Sequence, residues 1–178
     1  MDTLAIIENY YKKDSELYNI LVKHSADVTQ KALDIAKKHP ELNIDQQFVS
    51  QAGMLHDIGI FATNAPGIAC FGVAPYICHG YLGREILEEL GYHKHALVCE
   101  RHTGSGLTKD EIIEQHLPLP HRDMIPISIE EKVICFADCF FSKTKLGEEK
   151  SVEKVRQDMK KYGPASVDRF EELCNLFL

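Results

Sequence analysis

The chain lacks any Cys-x-x-Cys pair, although it holds six cysteines. Cys70, Cys78, Cys99, Cys135, Cys139 and Cys174 suit neither a structural zinc site nor a disulfide framework. They are read as reduced, mostly buried thiols of a cytoplasmic protein. Missing too is a basic leader running into an apolar segment: Met1-Asp2-Thr3-Leu4-Ala5-Ile6-Ile7-Glu8-Asn9 does not have the form of a signal. No stretch is long and apolar enough to span a bilayer, so no membrane role is expected. Positive charge is the scarcer sign. With 20 Lys and Arg against 27 Asp and Glu, the net charge is −7. Duplex nucleic acid is therefore not an expected partner, since backbone binding needs a basic face. An acidic protein can still take a phosphorylated small molecule where a metal supplies local positive charge. Clean period-two alternation is absent, as are internal repeats, linkers and low-complexity segments.

What is present is helical periodicity, in a chain of 178 residues that is long enough for one domain with a proper core. The expected fold is all-α, a single compact domain over 1–178, with a core at about 20–145 and helices from 151–178 packed on it. A first short helix falls near 3–13. A second, from about Ser15 to Lys38, buries Leu21, Val22, Val28, Ala32, Ile35 and Ala36, and carries His24. Pro40 ends it, because proline disfavours helix in the residue before it. Asp45 caps a third helix with Phe48, Ala52 and Leu55 inward, which stops at His56-Asp57 and Gly59.

Residues 60–72 read as a loop, and a helix runs from about Pro75 to Leu90, closed by a left-handed Gly91. Ile86 lies seven residues beyond His79, which puts His79 on the buried face near the helix start. A helix over about 93–102 ends in His102-Thr103-Gly104-Ser105-Gly106. Thr108 and Glu111 form a capping box for 109–116, and three prolines make 117–127 a surface loop. Ser128 and Glu131 form a second capping box, opening a helix with Val133, Ile134, Ala137 and Phe141 inward and Asp138 beside them. Ser151 caps another helix, and Gly163-Pro164 separates it from the last.

The chemistry sits on these helices. His56-Asp57 places a neutral nitrogen ligand beside an anionic oxygen ligand at a helix end, where the backbone can turn and both can meet one ion. His24, His79 and His102 fall at or near inward-facing positions, and Asp138 adjoins an apolar stripe, where an unpaired carboxylate is costly. Six candidate ligands come from five helices. A metal would relieve the burial of two carboxylates and satisfy the imidazoles together.

With its literal His56-Asp57-Ile58-Gly59, the chain resembles the HD-domain superfamily of metal-dependent phosphohydrolases, and within it the HDIG subgroup. The order His24, His56-Asp57, Asp138 carries the resemblance over about residues 20–145. Ile77-Cys78-His79-Gly80-Tyr81-Leu82-Gly83-Arg84-Glu85-Ile86-Leu87 and Glu100-Arg101-His102-Thr103-Gly104 look like the further histidine segments of binuclear members. The resemblance implies one metal held by His24, His56, Asp57 and Asp138, and a second by Asp57, as a bridge, with His79 and His102. The cyclic-di-GMP branch is disfavoured: it has Lys where this chain has Ile60, and its Gly-Tyr-Pro signature is missing. Leu119-Pro120-His121-Arg122-Asp123-Met124-Ile125-Pro126 is similar to a segment of stand-alone archaeal and bacterial HD proteins.

The implied activity is hydrolysis of a phosphoester or phosphoanhydride in a nucleotide or other small phosphorylated metabolite, by a metal-activated water. Asp57 would bridge two ions of iron, manganese, cobalt, nickel or zinc; magnesium fits poorly with so many imidazoles. Two alternatives keep the same ligands: a di-iron oxygenase, and a non-catalytic metal- or nucleotide-binding sensor. Lys143 and Arg122 are candidates for phosphate contact at the pocket rim, against the reading of solvated surface charges. Thr103, Gly104 and Ser105 can present hydroxyls and backbone N–H groups to an anion, in a turn that also closes a helix. His39, His93, His95 and His116 are read as surface residues. His121 is the exception, on a loop able to cover the site.

Overall fold

The computed structural model describes every residue from Met1 to Leu178. The helices are α1 Thr3–Glu8, α2 Glu16–Lys38, α3 Gln46–Leu55, α4 His79–Glu89, α5 His93–Arg101, α6 Lys109–Glu114, α7 Ile129–Asp138, α8 Val152–Met159 and α9 Pro164–Phe177. The architecture is all-α. No helix is long and apolar enough to cross a membrane.

Local chemistry explains most of the boundaries. The side chains of Ser15, Asp45, Thr108, Ser128 and Ser151 each accept a backbone N–H of the first turn of the helix that follows. Lys37 and Lys38 lie in the last turn of α2, where positive charge suits the helix dipole. The box at Thr108 and Glu111 is complete. The one at Ser128 is half formed. Glu131 does not return to the Ser128 N–H; its carboxylate accepts from Ile127 N at 2.9 Å and from Arg101 Nη1 at 2.9 Å.

Two other expectations are revised. α1 stops at Glu8 instead of reaching 13. Tyr11 leaves the helical path to bury its ring, and its hydroxyl donates to Ile58 O at 2.7 Å. The 60–72 segment is not a plain loop. It holds short 3₁₀ turns and a two-residue antiparallel ladder, Asn64–Ala65 (β1) with Cys70–Phe71 (β2), paired Asn64 to Phe71 and Ala65 to Cys70. Gly91 has φ +79°, as a left-handed cap requires.

Two large apolar clusters meet along α2. One gathers Val28, Ala32 and Ile35 with Phe136 of α7, Val155 of α8 and Phe170 and Phe177 of α9. The other gathers Leu21 with Ile7 of α1, Leu55 of α3, Leu87 of α4 and Cys99 of α5. His24 stands on α2 between Leu21 and Val28, at the seam. A third, smaller cluster of Cys78, Ile112, Leu119 and Met124 anchors the proline-rich loop. All six cysteines are unpaired and buried.

Candidate metal centre

α3 ends at Leu55, so His56 and Asp57 lie just past the last helical turn. The chain then folds tightly, with Ile58 N donating to Leu55 O and Ile60 N to Asp57 O, both at 3.0 Å. Gly59 does not close α3 as a left-handed cap; its φ is −84°. Close approach requires it instead. A Cβ there would lie 2.3 Å from His79 O and 2.4 Å from Gly83 N, both backbone atoms of α4. Glycine thus lets the turn carrying His56-Asp57 press against the helix carrying His79.

The six candidate ligands converge. Asp57 Oδ2 lies 3.2 Å from both His24 Nε2 and His56 Nε2. Asp138 Oδ1 completes that side, 2.9 Å from His24 Nε2 and 3.5 Å from His56 Nε2. Asp57 Oδ1 faces the other way, 3.5 Å from His79 Nε2 and 3.4 Å from His102 Nε2. Two groups able to hold an ion result, His24, His56, Asp57 and Asp138, and Asp57, His79 and His102, with Asp57 common to both. Asp57 and the four imidazoles are almost wholly shielded from solvent.

Three of the imidazoles are aimed by one device. His56 Nδ1 donates to Gly53 O at 2.6 Å, His79 Nδ1 to Tyr76 O at 2.7 Å and His102 Nδ1 to Cys99 O at 2.7 Å. Each acceptor is the carbonyl three residues earlier. A carbonyl only accepts, so the proton is on Nδ1, and in the neutral ring Nε2 presents a lone pair to the centre. His79 Nε2 and His102 Nε2 are 3.1 Å apart. Two such lone pairs at that distance repel unless a proton or cation stands between them. His56 Nε2 and Asp57 Oδ1 are also buried without a hydrogen-bond partner. Orphaned donor atoms of this kind, all imidazole nitrogen and carboxylate oxygen, fit a transition-metal ion.

The electrostatics agree. Burial pushes the Asp57 carboxyl up, but the Lys143 ammonium and the His56 ring outweigh it and hold it well below the usual range. Asp138 is likewise pulled down against burial, chiefly by hydrogen bonds with His24 and His56. Burial lowers His79 to about 4, which keeps it neutral. For His56 burial is overcome by Asp57 and Asp138, which raise it to about 10. The two carboxylates that favour a proton on His56 would equally favour a metal cation in the proton's place.

The family described as HD domain matches residues 21–143, most of the chain and all six of these residues. The chain belongs to the HD-domain family. Among its relatives is the uncharacterized protein MJ0778 of Methanocaldococcus jannaschii, 37% identical over 145 residues, covering 80% of this chain and 75% of that one. Two proteins named tRNA (cytidine(56)-2'-O)-methyltransferase also match. That of Picrophilus torridus is 32% identical over 71% of this chain, and that of Thermoplasma volcanium 30% over 79%. The chain spans only 33% and 37% of their lengths. No solved structure matches.

A cavity of about 490 Å³ opens beside the HD cluster, lined by His79, His102 and Asp138 and by Thr103, Gly104 and Lys143. Lys143 is not at the rim. Its side chain is only 10% exposed, and Nζ lies 2.6 Å from Asp57 Oδ2. The chain turns sharply after α7 and brings it back over the cluster. Arg122 is elsewhere. Its Nε donates to Glu100 Oε1 at 2.8 Å and its Nη2 to the same oxygen, and Arg84 takes the other oxygen. Glu100 is buried and needs these partners, so Arg122 fastens the proline-rich loop to α5 and lines no part of the cavity.

Ser105 is also spoken for. Its buried hydroxyl donates to Ser166 O at 2.8 Å, tying the turn after α5 to α9. Thr103 and Gly104 do face the cavity, and Gly104 takes φ +61°. His121 is exposed and lines no part of the cavity. Tyr76, which sequence reasoning passed over, lines the cavity and stacks on His79 with ring centroids 4.7 Å apart. The only sequence signal for it was its place three residues before His79.

Proposed function

We propose that this HD domain is a metal-dependent phosphohydrolase acting on a small phosphorylated metabolite or nucleotide. The observation that carries the reading is the orientation of Asp57, whose two oxygens each face a separate pair of imidazoles. That is the donor arrangement a bridged pair of ions needs. His24, His56 and Asp138 would complete one position, and His79 and His102 the other, for iron, manganese, cobalt, nickel or zinc. Such a pair, when bound, lowers the pKa of water and neutralises charge on a phosphoryl group.

The chain's own residues do the rest. Lys143 holds its ammonium against Asp57 and faces the cavity, where its remaining N–H groups can donate to a phosphoryl or leaving-group oxygen. Burial would lower its pKa, but Asp57 more than restores it, so the charge persists at neutral pH. Thr103 and the left-handed Gly104 form the facing wall, suited to orienting an anion. Tyr76, stacked on His79, adds an aromatic face to the same cavity. The name of the two methyltransferases belongs to proteins of which this chain spans about a third, and methyl transfer calls for no set of four imidazoles and two carboxylates.

The test is turnover. Protein loaded in turn with each of the five metals is assayed against a panel of phosphomonoesters, phosphodiesters and nucleotides. At least one substrate is expected to release phosphate or a mononucleotide, with Asp57→Ala slower by on the order of 100-fold or more. No turnover with any metal, or full turnover in Asp57→Ala, would sink the reading.

A further inference from the structure

The family match ends at residue 143, but the cavity does not. Its lining continues through Lys150, Asp158, Met159, Lys161 and Tyr162. These belong to the segment before α8 and to the corner between α8 and α9. The shared part of the family thus supplies the cluster, and a segment beyond the match supplies further lining of the same cavity.

That surface is basic. Lys150 Nζ donates to Cys139 O at 3.3 Å, the residue directly after Asp138, and lies 3.5 Å from Asp158 Oδ2. Lys154 and Lys161 reach Asp158 Oδ1 at 2.9 and 3.3 Å. Three ammoniums sharing one carboxylate leave an excess of positive charge, in a chain whose net charge is −7. Hydrogen bonding from Lys154 lowers the Asp158 carboxyl to about 2, so it stays a fixed counter-charge. The hydroxyls of Ser142 and Thr144, 2.9 Å apart, line the same cavity. Ammoniums with hydroxyls beside them suit a group with several acceptor oxygens. A cavity of about 490 Å³ has room for such a group in addition to one at the cluster.

We propose that the corner between α8 and α9 is a second anionic subsite, where Lys150 and Lys161 receive a phosphoryl group of the substrate distal to the one that meets the His/Asp cluster. The substrate class is then a small bisphosphate or polyphosphate, not a simple monoester. This rests on the phosphohydrolase reading above.

The test is calorimetric binding to manganese-loaded protein of two probe series: alkyl monophosphates, and alkanediol bisphosphates of graded chain length. A bisphosphate of matching length is expected to bind about tenfold tighter than its monophosphate. In the Lys150→Gln/Lys161→Gln double variant that preference should disappear, while monophosphate affinity stays. Single Lys161→Gln, at an exposed side chain, gives a milder version that does not disturb the Lys150 contact with Cys139. Equal binding of both series by the unaltered protein, or a preference that survives the double variant, overturns the subsite alone. Failure of both series to bind overturns the phosphohydrolase reading, and the subsite with it.

Discussion

At the scale of single residues, Asp57 decides what the cluster can hold. One carboxylate oxygen serves His24 and His56 and the other serves His79 and His102, so loss of an outer imidazole should empty one position and spare the other. His79→Ala is expected to lower bound metal from about two ions per chain to about one, read by elemental analysis of purified protein. His24→Ala should do the same from the other side. An unchanged ratio in both would mean that metal, if present, is held by other residues. The residues themselves were legible because burying a carboxylate or an imidazole among apolar neighbours is costly, and that cost shows as a break in the hydrophobic pattern at His24, His79 and Asp138. The side-chain contacts of Arg122 and Ser105 were hidden for the opposite reason. Their partners, Glu100 and Ser166, are 22 and 61 residues away in sequence, and no local pattern announces them.

At the scale of elements, the literal His-Asp-Ile-Gly run acquires a structural meaning. Ile58 is wholly buried in the cluster around Leu55 and Leu87. Gly59 admits the backbone of α4 to a distance that no side chain would allow. Gly59→Ala is therefore expected to destabilise the fold by roughly 1–3 kcal/mol. It should also weaken metal binding, because α4 carries His79. Denaturant unfolding and metal titration of the one variant check both effects; a change in neither would show that the contact can relax. The helix starts at Ser15, Asp45, Thr108, Ser128 and Ser151 were well predicted, since each is set by a side chain that reaches its own backbone three residues on, whereas α4, which has no such cap, begins at His79 after a 3₁₀ turn and not at Pro75. The half-formed box at Ser128 fails by the same logic. Arg101 and Ile127 offer Glu131 better partners than Ser128 does, and Arg101 comes from a different helix.

At the scale of the molecule, the cluster lies on the seam between two apolar cores, with candidate ligands contributed from α2, the end of α3, α4, the end of α5 and α7. An ion bound there ties these elements together and is absent from the unfolded chain. Metal at about one hundred times Kd should then add about 2.7 kcal/mol per site. For a chain of this size that corresponds to roughly 5–11 °C in Tm. Thermal melts with a chelator and with restored manganese or iron measure it. A Tm indifferent to metal would count against a centre at the seam. α9 reinforces the far side, where Arg169 Nη2 donates to Gly106 O at 2.9 Å and to the Glu111 carboxylate, clamping the turn that presents Thr103 and Gly104.

The sequence alone determined that the chain is helical, where most helices begin, that its thiols are buried and unpaired, and which six residues have the chemistry of a metal centre. These follow from local forces: periodic burial, capping within one turn, and the cost of placing charge in an apolar stripe. Only the tertiary structure decided that Asp57 divides its two oxygens between the imidazole pairs, that Lys143 folds back onto it, that Gly59 is needed for close approach, and that residues beyond the shared family segment wall the cavity with lysine. Each of these depends on atoms far apart in the chain being brought within a few ångströms, by the packing of two cores against α2.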